Sequence, residues 1–75
     1  MPKRDPILAS FGLRLRHCRE AKGLTQERLA EKAQLDQTYI SGIERGLRNP
    51  GIKNVLRLAK ALGITTAKLV EGVDG

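Results

Sequence analysis

The run Asp36 to Gly46, DQTYISGIERG, sets an amide, two hydroxyls and a guanidinium along a stretch of helical periodicity. With Ile40 and Ile43 turned inward three residues apart, Gln37, Thr38, Ser41, Gly42 and Arg45 face outward, with Tyr39 at the flank. This set suits hydrogen-bond reading of a polar edge rather than bond making. Gln37 can address adenine N6 and N7 with both ends of its amide. Thr38 offers a hydroxyl and a methyl for thymine, and Ser41 a permissive hydroxyl. Gly42 costs roughly 1 kcal/mol against alanine in a helix interior, and close approach of the helix backbone to DNA would account for it. Around this set stand residues suited to phosphate: Gln26 in the first turn of a preceding helix, the Tyr39 phenol (or, alternatively, a core cap), Arg48 and Asn49 in the following loop, and Lys53 beyond it. For catalysis the chain has no paired carboxylates, no Ser/His/Asp set and no glycine-rich phosphate loop. Neither a cofactor nor a small-molecule ligand is suggested, and Cys18 and His17 lack further partners at metal-ligand spacing.

The elements that must position these residues follow from caps and periodicity. Thr25 and Asp36, eleven residues apart, are both good helix N-caps, because a side-chain oxygen there accepts from a backbone N–H without a helical partner. Helix two is expected over about Gln26 to Ala33, with Leu29, Ala30 and Ala33 on its inner face. Helix three is expected over about Gln37 to Arg45. Small Ala30 and Ala33 permit a close crossing, and Leu35 lies beneath the turn. Two short helices at this spacing form a helix-turn-helix pattern, in which the second helix enters the DNA major groove.

The remaining chain is read in the same way. Residues 1–6 hold Lys3, Arg4 and two prolines and are expected to form a basic arm, residues 7–73 one domain, and 74–75 a tail. Helix one is expected from Ile7 or Ser10 to Lys22, with Leu8, Phe11, Leu15 and Cys18 inside, Leu13 off the stripe and Gly23 as the stop. Gly46 ends helix three. Helix four is expected to turn Ile52, Val55, Leu56, Ala59 and Leu62 inward and to stop at Gly63; Thr65 then caps a short fifth helix. Ile64, Leu69, Val70 and Val73 are the candidate surface for a second copy of the chain, the alternative being that they close the monomer core.

Seventy-five residues with an apolar fraction of 40% are enough for one small core. Phe11 and Tyr39 are the only aromatics, which argues against base-stacking platforms for single strands. The formal charge is +6, which favours a polyanionic partner. Its distribution is more informative. From Arg45 to Val70 there are six basic residues and no acid, whereas Met1 to Glu44 mixes eight basic with six acidic residues. The excess begins where helix three ends, where a groove-bound helix would hand over to phosphate contacts. One cysteine allows no internal disulfide and fits a reducing cytoplasm, and no apolar run approaches the ~20 residues of a membrane span.

From Phe11 to Leu69 the chain resembles the XRE family of phage-repressor-like and Cro-like DNA-binding domains. The motifs GLTQERLAEKA, DQTYISGIERG, RNP and LAKALGI stand in family order, and TYISGIERGLRNP is especially similar to restriction-modification controller regulators. The resemblance implies an all-α, five-helix, lambda-repressor-like fold, binding to a double-stranded DNA operator, and a homodimer. It also implies a structural ion pair between Arg19 and Glu44 and a backbone-clamping role for Gln26. Gly42 departs from relatives that carry a base-reading side chain there. The resulting expectation is a transcriptional regulator, not an enzyme. The alternatives are an antitoxin or phage/plasmid regulator of the same fold, or a protein-interaction adaptor, which would need neither the polar face of helix three nor the acid-free segment after it.

Overall fold

A computed structural model describes residues 5–74 and places five helices and no strand among them: α1 (Pro6–Ala21), α2 (Gln26–Ala33), α3 (Gln37–Glu44), α4 (Gly51–Leu62) and α5 (Thr66–Leu69). Residues 1–4 of the expected arm, with Lys3 and Arg4, lie outside the described residues. The rest of that arm starts a helix, with Asp5 as its extended N-cap and Pro6 as its first residue. Asp5 Oδ1 accepts from the Ile7 and Leu8 amides at 2.9 and 3.1 Å, and Pro6 opens α1. A proline there loses an N–H that would have had no helical partner, so the helix starts one residue before the earlier of the two expected starts.

The other caps are those the side chains dictate. Thr25, Asp36 and Thr65 accept from the amides of Arg28, Thr38 and Lys68. The turn between α2 and α3 is made by Gln34, the one described non-glycine residue with positive φ (57°). Leu35 N–H then donates back to the Ala30 carbonyl at 2.9 Å, closing α2 tightly enough for Asp36 to start α3 at once.

Leu15, Leu29, Ile40, Ile43, Leu58 and Leu69 are the large side chains with no exposed surface, and Phe11, Cys18, Ala30, Ala33, Ala59 and Leu62 fill in around them. Helix α1 packs on α3 through a backbone approach at Gly12, where an added Cβ would fall onto the carbonyl oxygens of Ile43 and Glu44. Cys18 is buried as a small hydrophobe, and Leu13, off the stripe, is exposed.

Helix α4 corrects the expected register. Ile52 is 70% and Leu56 49% exposed, while Leu58 is wholly buried. The core face runs through Val55, Leu58, Ala59 and Leu62, and Ile52 and Leu56 stand off its edge. Leu69 is corrected as well. It has no exposed surface, so it belongs to the monomer core and offers nothing to a second copy; Ile64 and Val73 pack against that core, and only Val70 of the four is exposed. The C-terminal segment is tied to α1 by Arg14, which donates to the Lys68 carbonyl at 2.8 Å, and by the Asp74 amide, which donates to Ser10 at 3.2 Å.

The register of α4 has a measurable consequence. Leu58→Ala should cost about 2–5 kcal/mol, as truncation of a fully enclosed leucine does, whereas in the monomer at high dilution Ile52→Ala should stay within about 0.5 kcal/mol. Denaturant unfolding of the two variants checks this, and equal losses would contradict the observed face.

Candidate nucleic-acid interface

The outward face of α3 is held from behind by a buried ion pair. Arg19 on α1 donates from Nε and Nη2 to the two carboxylate oxygens of Glu44 at 2.7 and 3.0 Å, a bidentate fork. Its remaining nitrogen, Nη1, donates to the Leu24 carbonyl at 2.7 Å, at the entry to α2. Gln26 Nε2 donates to Glu44 Oε1 at 3.0 Å. One carboxylate therefore gathers α1, α2 and α3. Both charged side chains are nearly enclosed, 11% and 4% exposed, and the hydrogen bond to Glu44 raises the Arg19 guanidinium above the ordinary arginine value. The pair implied by the resemblance is present; the Leu24 carbonyl and the Gln26 link were not legible in the residue types.

On the outer side, Gln37 and Thr38 are exposed and Ser41 is half-buried. Asp36 accepts from both the hydroxyl and the amide of Thr38. These bonds hold its carboxyl below the usual carboxylate value, the hydroxyl contributing most. The Thr38 hydroxyl hydrogen is thus already engaged, and its methyl is the free part. Arg45 is exposed at the C-cap of α3. Gln26 is half-buried, with the second N–H of its amide not used on Glu44. Asn49 and Lys53 are exposed, and Asn49 Oδ1 accepts from the Gly51 amide at 3.2 Å, so its amide group shapes the start of α4.

Two expectations change here. Gly42 is buried and does not offer bare backbone to a ligand: the Arg48 side chain lies across it, and a Cβ on Gly42 would sit 2.6 Å from Arg48 Cγ. Tyr39 is half-buried, and its hydroxyl donates to the Pro50 carbonyl at 3.3 Å and accepts from Asn54 Nδ2 at 3.1 Å. A phosphate needs a donor, and the single phenolic hydrogen is committed to the loop. Tyr39 therefore acts here as a brace between α3, the loop and α4. Asn54 is the partner that sequence reasoning missed, since an asparagine on a helix flank gives no signal of its own.

The described residues hold no group of three His, Cys, Asp or Glu side chains placed to bind a metal, and no helix long and apolar enough to cross a membrane. A cleft of about 520 Å³ is lined by Lys32, Ala33, Gln34, Arg57, Lys60 and Ala61, between α2 and α4 and apart from the outward residues of α3.

Removing one partner of a buried pair strands the other. Arg19→Met should cost about 3–5 kcal/mol, and Arg19→Met/Glu44→Leu should recover part of that loss because neither charge is left buried alone. Thermal melts of the single and double variants measure the coupling. Additive losses would contradict the geometry.

Comparison with known proteins agrees with this arrangement. The family model described as helix-turn-helix matches residues 15–69. The control protein C.BamHI of Bacillus amyloliquefaciens is 42% identical over 62 residues, which span 81% of this chain and 76% of that protein. The restriction-modification controller protein C.AhdI of Aeromonas hydrophila superposes with a TM-score of 0.81 at 52% identity, over 83% of this chain and 94% of that one. The controller protein C.Esp1396I, solved as a tetramer with its natural 35 base-pair operator, superposes with a TM-score of 0.82 at 40% identity, over 89% and 88%. With the two central helices of the match also forming the braced pair described above, the chain belongs to the helix-turn-helix family of DNA-binding transcriptional regulators, the family that includes the restriction-modification controllers.

Proposed function

We propose that this protein is a sequence-specific regulator of transcription that acts in the cytoplasm, on the nucleoid. It sets α3 in the major groove of a palindromic double-stranded operator and binds as a homodimer. The observation that carries this reading is the face of α3. Gln37, Thr38, Ser41 and Arg45 stand outside, while Ile40, Ile43 and Glu44 lock the same helix to the core. In the proposed docking, Gln37 reads a base edge, Thr38 turns its methyl to thymine, and Ser41 and Arg45 complete the reading set. Gln26, Asn49 and Lys53 clamp phosphate. The relatives named as controllers favour this over an antitoxin or an adaptor, and C.Esp1396I, solved as a tetramer with its operator, gives operator binding a precedent.

Titration against a selected duplex, its single-base variants and random duplex tests the reading. Affinity should fall steeply with salt, each phosphate contact adding about 0.9 to the log–log slope. Gln37→Ala should lose about 1–3 kcal/mol on the preferred site and relax one position, while Lys53→Ala should weaken all duplexes alike. A flat salt response would overturn the proposal and favour an adaptor.

The dimer surface proposed here is built from the apolar groups the monomer leaves out. Ile52 and Leu56 lie one turn apart on α4, and Val70 is exposed at the end of α5, which packs on α4. Half-buried Ile64 and Val73 would contribute only their edges. Two copies reading two half-sites about one helical turn apart supply the specificity that one short helix lacks. Leu56→Lys should leave a folded monomer that occupies a palindromic site poorly. Sedimentation at micromolar concentration decides it, and a variant that stays dimeric would move the interface elsewhere.

A further inference from the structure

We propose that Gly42 is a positioning residue: its missing Cβ is the seat that holds the loop arginine, Arg48, on the reading face of α3. This rests on the regulator reading above and assigns to that site the residue that seats its loop cation. Measured from the Cβ position that Gly42 lacks, the Arg48 side-chain atoms Cγ, Cδ and Cβ lie at 2.6, 3.6 and 3.7 Å. The Arg48 stem thus occupies the space an alanine methyl would take. One turn earlier on the same helix, the Tyr39 ring receives the guanidinium, with Cζ 5.3 Å from the ring centroid.

Everything around that side chain is fixed by other bonds. Gly46 and Leu47 amides donate to the Ile43 and Gly42 carbonyls at 3.0 and 2.9 Å, which sets the backbone just before Arg48. The Tyr39 hydroxyl is held by Pro50 and Asn54 at 3.3 and 3.1 Å, which sets the ring. Between these anchors the exposed Arg48 stem lies in a groove whose floor is Gly42. Alanine is the better helix former at an interior position, so glycine here trades helix propensity for that groove. With Cγ as the clashing atom, a methyl on residue 42 cannot be accommodated by a small shift at the tip of the arginine. The side chain must change its χ1 rotamer and leave the ring. An arginine already laid down over Gly42 and Tyr39 on α3 needs little ordering when DNA arrives, whereas a freed one must be ordered at binding.

The test uses the fact that Tyr39 is the sole tyrosine and the chain has no tryptophan, so tyrosine fluorescence and the ring proton resonances report this one contact. Without DNA, Arg48→Ala defines the signal of an uncovered ring. Gly42→Ala should give that same signal while keeping its helical content and melting point at or above the wild type. On the selected operator, Gly42→Ala should bind about 3- to 10-fold more weakly, the scale of ordering one long side chain. In the Arg48→Ala background the same change should have no further effect. The proposal is overturned if Gly42→Ala keeps the wild-type tyrosine signal. It is equally overturned if Gly42→Ala weakens binding as much without Arg48 as with it, because the methyl then meets DNA directly. Should Gly42→Ala fail to fold, Gly42→Ala/Arg48→Ala decides: recovery of the fold supports the seat, and continued unfolding shows that the methyl meets something other than Arg48. If the wild type binds no duplex, the regulator reading falls together with the operator half of this proposal, while the tyrosine comparison stands on its own.

Discussion

The structure depends on one buried carboxylate. Glu44 is the last residue of α3, and it receives three hydrogen bonds, two from Arg19 on α1 and one from Gln26 on α2. A hydrophobic contact at this place would stabilise at least as well, because taking two charges out of water is costly and their attraction repays it only when geometry is good. What the ion pair adds is direction. Packing of Ile40 and Ile43 fixes how deep α3 sits but leaves some freedom of rotation and slide; a bidentate fork aimed at the end of the helix removes it. By contrast, Arg16–Glu20 and Arg28–Glu31 are exposed pairs more than half open to water, of a kind that contributes a few tenths of a kcal/mol. They shape the surface, not the site.

Much of this was legible because the signals are local. Thr25, Asp36 and Thr65 cap where a short polar side chain before an apolar-periodic run should, so α2 and α3 appear at the expected places. The inner faces of α2 and α3 follow from spacing alone, and so does that of α1 from Phe11 through Leu15 to Cys18, while Leu8 in its first turn stays outside the core cluster. The ion pair needed the resemblance, since no local rule connects residues 19 and 44.

The failures have physical causes. In α4 the apolar residues Ile52, Val55, Leu56, Leu58, Ala59 and Leu62 spread over nearly half of the helix circumference, so periodicity permits more than one inner face. Contacts with α2 and α5 select the face centred on Leu58. For Leu69 the sequence leaves partner surface and monomer core both open, because α5 has a single turn, too short to show which of its residues point inward. Tyr39 and Gly42 were read as if α3 met its ligand alone. In the fold the Leu47–Pro50 loop folds back along the helix, so the phenol meets a carbonyl and the glycine meets an arginine stem.

That loop also explains why the acid-free segment begins where it does. Gly46, with φ of 74°, turns the chain off α3, and its α-carbon lies so close to Ala9 that a Cβ would come within 2.9 Å of the Ala9 α-carbon. The chain can leave only along the outer side of α3, past Gly42 and Tyr39, before Pro50 and Gly51 start α4. An acidic residue on this path would draw the arginines away from a polyanion and repel the polyanion itself. The loop from Arg45 to Pro50 carries no such residue, and the acid-free run continues from it to residue 70. In the proposed docking, long-range attraction by the net charge would bring a duplex to this side with little regard to sequence, and discrimination would fall to the few side chains on α3, the helix whose end Glu44 fixes.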